Sequence, residues 1–221
     1  MTSPIYINEK ISKFNKKIKV DGDKSLSIRF ALLASQAIGK SKAYNLLKSE
    51  DVLSTLNCLK KLGVKIKWNQ KNNFCEIYGN GLNSYAYKDN LILNGNNSGT
   101  CVRLLTSLLI NSPKKIKIIG DKSLSKRDMN RIINPLKEFG ATFYPKNKKT
   151  LPLFIKGSNY LRPINYLENL GSSQCKSSVM LAALSAPGET NLKCKPSRNH
   201  TELLFKYLKI PIKIKKIKNF D

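Results

Sequence analysis

Apolar residues recur at helical spacing in three separate stretches of the chain, and the stretches resemble one another. Lys24 to Gly39 (KSLSIRFALLASQAIG), Ser98 to Pro113 (SGTCVRLLTSLLINSP) and Ser172 to Gly188 (SSQCKSSVMLAALSAPG) each open on small hydroxyl residues, run about four turns and close at Gly or Pro. Their starts lie about 75 residues apart, an internal repeat that predicts three equivalent helices. A short strand-like run follows each one: Ala43 to Leu47, Lys115 to Ile119 and Thr190 to Cys194. A second capped helix is then predicted at Ser49-Glu50-Asp51, at Ser125-Lys126-Arg127-Asp128 and at Ser197-Arg198-Asn199-His200. An alternating strand comes next, as in Val64 to Trp68 and Ile210 to Ile214, and in the first two copies a further one, Phe74 to Tyr78 and Leu153 to Lys156. The third copy stops before that last strand. The chain is therefore expected to be a truncation, with residues 211 to 218 lacking a complete sheet to join. Alternation at Ile5-Tyr6-Ile7 and Lys17 to Val20 predicts strands near the N-terminus that touch the repeats little.

With 221 residues, 41% of them hydrophobic, the chain can bury a substantial core. Its longest apolar runs, such as Val179 to Leu184, fall far short of the roughly 20 residues a membrane span requires, and Met1 to Pro4 starts no signal-like stretch. A soluble, cytoplasmic protein with no membrane partner is expected. The five cysteines (Cys58, Cys75, Cys101, Cys175, Cys194) include no C-x-x-C pair, and His200 is the only histidine, so neither a disulfide framework nor a metal site is supported.

The net charge of +26 first suggests a nucleic-acid partner. Its even spread through predicted strands, helices and turns, with aromatics at 8% and no helix-turn-helix or RNA-binding motif, argues for no nucleic acid. Only six of the forty basic residues are arginine: Arg29, Arg103, Arg127, Arg131, Arg162 and Arg198. A planar guanidinium kept in so lysine-rich a chain points to bidentate recognition of carboxylate or phosphate. If the repeats pack side by side, the N-termini of their first helices gather on one face and offer free N–H groups to an anion. Lys24, Arg29, Arg103, Arg127 and Arg198 are predicted in the first or second turns of these helices, around one polyanion pocket. Taken singly, each Ser or Thr at a helix start reads as an N-cap. Ala34 to Ser41 (ASQAIGKS) imitates a nucleotide-phosphate loop but lacks the leading glycine and ends a helix instead of starting one.

Six ordered motifs carry a resemblance spanning about Ile18 to Ile214. Gly22-Asp23-Lys24-Ser25-Leu26-Ser27-Ile28-Arg29 is similar to the P-G-x-K-S-x-S-x-R opening of the 5-enolpyruvylshikimate-3-phosphate synthase family, with Asp21-Gly22 in place of Pro-Gly. Asn94 to Thr100 with Arg103 resembles its G-N-S-G-T-x-x-R motif, Asn96 standing where glycine is usual. Gly120 to Met129 resembles G-D-x-S-L-x-x-R-P-M, with Asp128 in the proline position. Leu161 to Ile164, Ser172 to Ser177 and Ser197 to Glu202 complete the series.

The resemblance implies an α/β fold of three βαβαββ repeats around a pseudo-threefold axis, the first of two lobes. Repeats would start near residues 24, 98 and 172, the third incomplete; residues 1–20 would belong to the absent lobe and residues 21–221 to this one. The implied reaction moves an enolpyruvyl group from phosphoenolpyruvate to the 5-hydroxyl of shikimate 3-phosphate, with no cofactor and no metal, in an enzyme that is a monomer when complete. Lys24 would be catalytic, between the two substrates. Shikimate 3-phosphate would be held by Lys24, Ser25, Arg29, Ser172, Ser173, Gln174, Ser197 and Arg198. Phosphoenolpyruvate would meet Lys24, Asn97, Gly99, Thr100, Arg127 and Gln174. Glycine at 99 would let the small acid approach the backbone, although it also suits a helix start. The family's acid–base carboxylates come from the second lobe, and capping accounts for Asp51, Asp121 and Asp128. Two other readings stand beside this one: the sister enzyme acting on a UDP-amino sugar, whose opening motif has Lys-Asn-Ala where this chain has Lys24-Ser25, and a polyanion-binding lobe without activity.

Overall fold

The computed structural model describes residues 6, 8–10, 12–69 and 74–216. Among the described residues six α-helices form: α1 (Lys24–Gln36), α2 (Glu50–Lys61), α3 (Gly99–Ser107), α4 (Asn130–Phe139), α5 (Ser173–Ala183) and α6 (His200–Tyr207). The strands are β1 (Ile38–Tyr44), β2 (Lys65–Asn69), β3 (Phe74–Asn80), β4 (Leu91–Asn94), β5 (Ile116–Ile119), β6 (Thr142–Tyr144), β7 (Leu153–Lys156), β8 (Asn165–Glu168) and β9 (Asn191–Cys194).

The second copy displays the whole plan, β4-α3-β5-α4-β6-β7, folded as a sheet of order β4-β5-β7-β6. β4 and β5 are parallel with α3 crossing between them, and β7 runs antiparallel to both β5 and β6. The first copy repeats the last three positions as β1-β3-β2, and the third repeats the first two as the parallel pair β8-β9. Each parallel strand leads into its helix through a loop of equal length, residues 95–98 after β4 and 169–172 after β8.

The first helices form the centre. α1 is buried from Ser27 to Gln36 except at Phe30, α3 from Cys101 to Ser107, and α5 from Cys175 to Ala182. Burial on nearly every side requires small polar residues to find partners, and they do so within the helix. Ser107 and Ser177 hydroxyls donate to the carbonyls four residues back, and Thr106 does the same. The short side chains let α3 and α5 approach until Ser107 Oγ and Ser178 Oγ are 2.6 Å apart. α2, α4 and α6 lie outside, each with an apolar stripe inward, such as Val52, Leu56 and Leu59 on α2.

The excess lysine is placed on the outer sheet faces. Lys115 Nζ lies 4.5 Å from the centre of the Phe154 ring and Lys42 5.5 Å from that of Phe74, so alkyl stems cover rings while ammonium groups stay wet.

Four expectations need correction. The strand placed at 43–47 is β1, which starts five residues earlier at Ile38. The helix expected at Ser125 to Asp128 is a 3-10 turn, Leu124–Lys126, because Asp121 Oδ1 caps Leu124 N at 2.7 Å; α4 starts only at Asn130, whose N–H donates to Asp128 Oδ1. Ile210 to Ile214 is not a strand, consistent with Pro211 removing a ladder donor. Lys17 to Val20 forms no strand either; Ile18 and Val20 are 70% and 69% exposed, and Ile5 and Ile7 lie outside the described residues.

Candidate anion-binding site

The three central helices begin alike. Asp23, Ser98 and Ser172 are extended N-caps whose side-chain oxygens accept from the N–H three residues on, of Leu26, Cys101 and Cys175. In the first copy the cap is Asp23, not one of the serines of the motif. Helices capped in register and packed together present their first turns to one side, where a cleft of about 230 Å³ opens. All three repeats line it: Ser25 and Arg29 from the first; Thr100 and Arg131 from the second; Gly171, Ser172, Ser173, Gln174, Arg198 and His200 from the third. No lining residue is acidic.

Arg29 is 4% exposed and held on three sides: Nε donates to Thr201 Oγ1 at 2.8 Å, NH2 to Ser177 Oγ at 2.7 Å, and NH1 to Ser25 O at 3.1 Å. Burial lowers its pKa, and Glu202 partly restores it. Glu202 forms a buried ion pair with Lys176 at 2.5 Å, and Lys176 also reaches the carbonyl of Ser197 at 3.5 Å. The pair ties α5 to α6, and the contact with Ser197 O adds the loop that carries Arg198. Arg198 itself is exposed and, among the described residues, makes no hydrogen bond, so its donors are available to a ligand.

Beside the cleft, a second group surrounds Gly99. An added Cβ there would meet Arg103 NH1 at 3.0 Å and Arg127 NH1 at 3.4 Å. Arg127 NH2 donates to Asn97 Oδ1 at 2.9 Å. Arg103, 6% exposed, donates from NH1 to Gln174 Oε1 at 2.6 Å and from NH2 to Asp128 O at 3.2 Å. Gln174 Nε2 donates in turn to Thr100 Oγ1 at 2.9 Å, joining the two groups. Burial, then the neighbouring Arg131 and Arg127, push the Arg103 pKa down to about 10, so it remains charged at neutral pH. Asn96, in the place of a usual glycine, has φ 48°, the left-handed region that asparagine tolerates best after glycine. Its amide is anchored on Ser54 Oγ at 2.8 Å.

Of the residues singled out from sequence, Ser25, Arg29, Thr100, Ser172, Ser173, Gln174 and Arg198 line the cleft. Asn97, Gly99 and Arg127 form the adjoining group. Lys24 and Ser197 do not line the cleft: Lys24 is paired with Asp51 at 3.1 Å, and Ser197 Oγ is buried with no partner among the described residues. Arg127 and Arg198 precede α4 and α6 instead of lying in their first turns, and Arg103 points to Gln174 and Asp128. Arg131 and His200 are additions. Arg131 belongs to the sparse arginine set noted in the sequence, and His200 lies within the Ser197 to Glu202 motif, where only its cap position drew attention.

The sequence profile of the family described as EPSP synthase (3-phosphoshikimate 1-carboxyvinyltransferase) matches residues 8–220. A 3-phosphoshikimate 1-carboxyvinyltransferase of Ruthia magnifica subsp. Calyptogena magnifica is 44% identical over 202 residues, 91% of this chain and 46% of that protein. One from Streptococcus pyogenes serotype M4 is 42% identical over 187 residues, 84% of this chain and 43% of its own length. The solved structure of EPSP synthase from Acinetobacter baumannii superposes with a TM-score of 0.82 at 35% identity, covering 93% of this chain and 46% of that one. The chain thus spans about half the length of the curated relatives it matches.

Proposed function

This chain belongs to the EPSP synthase family, and from that membership we propose that it is one lobe of an enolpyruvyl transferase, carrying the half of the site that holds the two anionic substrates. Residues 21–221 make up the lobe. Residues 1–20 belong with a second lobe, a reading supported by the exposure of Ile18 and Val20. The observation that carries the proposal is a cleft drawn from all three repeats and lined by three guanidinium groups, hydroxyls and an amide without a carboxylate.

In this reading shikimate 3-phosphate lies in the cleft, its anionic groups on Arg29, Arg198 and the hydroxyls of Ser172 and Ser173. Phosphoenolpyruvate lies against Gly99 and Thr100, facing Arg127, Asn97 and Gln174. Lys24 reaches the space between them once released from Asp51. The reaction adds a proton to the methylene carbon of phosphoenolpyruvate and joins the 5-hydroxyl oxygen to its C2 as the hydroxyl proton leaves; the tetrahedral intermediate then loses phosphate from C2 and a proton from the new methyl group, which restores the carbon–carbon double bond. No covalent bond to protein is needed, so this lobe contributes by fixing two mutually repelling anions in reacting distance and neutralising their charge. The acid–base groups come from the second lobe. Five buried free thiols fit a reducing, cytoplasmic compartment.

Calorimetric titration with shikimate 3-phosphate and with shikimate tests the reading. Binding that requires the phosphate, no phosphate release by the chain alone, and turnover on adding a separately produced second lobe are expected. Equal binding of the two ligands, or robust turnover unassisted, would overturn it.

A further inference from the structure

We propose that Arg103 is a positioning residue: it locks the Gln174 amide so that only hydrogen-bond donors face the cleft, and thereby makes the site select ionised oxyanions. The inference rests on the anion-binding reading above and deepens it. A guanidinium has donors and no acceptor, so only the carbonyl end of an amide can face it. Arg103 NH1 holds Gln174 Oε1 at 2.6 Å, which turns Nε2 the other way, to Thr100 Oγ1 at 2.9 Å. One Nε2 proton is used there and the other is left for a ligand. Thr100, having accepted from the amide, keeps its own hydroxyl proton to give to the cleft it lines. A flipped amide would set its NH2 against the guanidinium and offer an oxygen to an incoming anion.

Arg103 is itself fixed. It is 6% exposed, rooted one turn beyond Gly99 on α3, and bound at NH2 to Asp128 O, next to Arg127. One buried side chain therefore ties the Gln174 amide on α5 to the backbone at Asp128, beside Arg127. Asn97 is held the same way, its Oδ1 on Arg127 NH2 at 2.9 Å, so the donor-only wall extends past Gly99.

Side-chain amide NMR of the full, nitrogen-labelled chain without ligand reads the orientation directly. The Gln174 signal is identified by its loss in Gln174→Ala. In the wild type its two protons should be distinct and slow to exchange; in Arg103→Met they should shift and exchange faster, and Arg103→Lys should restore most of the wild-type pattern. Unchanged Gln174 signals in Arg103→Met would overturn the proposal. Calorimetry with inorganic phosphate and with phosphoenolpyruvate supplies the second arm. Arg103→Met and Gln174→Ala should each weaken binding about tenfold, and the double variant no more than about twofold beyond either. Losses that multiply in the double variant would mean that Arg103 acts on the anion directly, and the proposal fails.

Should Arg103→Met not fold, Gln174→Glu decides, because it keeps an acceptor on Arg103 and replaces only the outward NH2 by oxygen. It should bind phosphate more weakly than Gln174→Ala does. Equal binding by the two would overturn the proposal. Absence of anion binding by the wild type would remove the functional reading, while the amide spectrum would still decide the orientation.

Discussion

Lys24 Nζ lies 3.1 Å from Asp51 Oδ2, across the gap between α1 and α2, with the lysine side chain 48% exposed. The lysine expected to act between the substrates is thus held by a carboxylate on α2. An exposed pair of this kind is worth at most about 1 kcal/mol. Asp51→Asn should therefore leave thermal stability nearly unchanged and tighten phosphoenolpyruvate binding by up to about fivefold, as read by calorimetry. Weaker binding in the variant would show that the pair organises Lys24 instead of restraining it.

Arg198 and Arg29 should separate in their effects. Charge-assisted hydrogen bonds to a phosphate in a partly shielded site contribute roughly 1.5 to 3 kcal/mol, so either alanine variant should lose ten- to a hundredfold in affinity for shikimate 3-phosphate. Arg198, exposed and without a hydrogen bond among the described residues, should lose nothing in stability. Arg29→Ala also removes the buried donors that Thr201 Oγ1, Ser177 Oγ and Ser25 O accept from and leaves a void among them, although Thr201 still donates to Ser177 and Ser177 to Ser173 O, and it should melt several degrees lower. Lys60→Ala on the outer face of α2 is the control. A loss for Lys60→Ala equal to that for Arg198→Ala would indicate a diffuse basic surface.

Gly99→Ala tests the approach to the backbone. The added methyl meets two guanidinium nitrogens, at 3.0 and 3.4 Å, where the small anion is expected. Phosphoenolpyruvate binding should fall at least about tenfold while shikimate 3-phosphate binding stays within about twofold. Parallel loss of both ligands would mean that the helix start itself had shifted.

The Lys176–Glu202 pair is buried on both sides, with side chains 2% and 10% exposed. Removing one partner leaves an uncompensated buried charge, so Lys176→Met should cost about 3 to 5 kcal/mol in urea unfolding. Lys176→Met with Glu202→Leu should recover most of that. A double variant as unstable as the single one would place the cost in packing instead of charge.

Alkali should weaken the fold by way of its thiols. Burial pushes Cys75 from its ordinary 9.0 up to about 11 and Cys175 up to about 12. Above pH 9 the unfolded chain releases these protons while the folded chain keeps them. Folded protein then binds more protons, and its stability declines as pH rises. Urea unfolding at pH 8 and 10 should show the decline, less steep in Cys75→Ala with Cys175→Ala. A flat profile in the wild type would contradict the assignment.

How much of this was legible in sequence depended on how many residues shared a message. α1, α3 and α5 were readable because a polar start, a long 3.6-residue periodicity and a terminal Gly or Pro agree three times over. β4 and β8 were not, since each is four residues long with a single buried side chain, Leu93 and Glu168, and no alternation to read. The gathering of arginines that lines the cleft was legible from their places near helix starts. Which arginine lines it was not, because Arg103 and Gln174 lie 71 residues apart and choose each other only once α3 and α5 are packed. Asn96 shows the converse: a departure from the expected glycine that the backbone angle accommodates.

The cleft takes its walls from all three repeats, while every sheet closes within a single repeat. The sheets can thus form early, from segments close in the chain, and the cleft must form late, when the central helices dock. An anion bound there, as proposed above, would stabilise that docking and none of the earlier steps. It would act as a fastener of assembly, joining three locally formed units into one cooperative transition, with its concentration setting how far unfolding of one repeat drags the others with it.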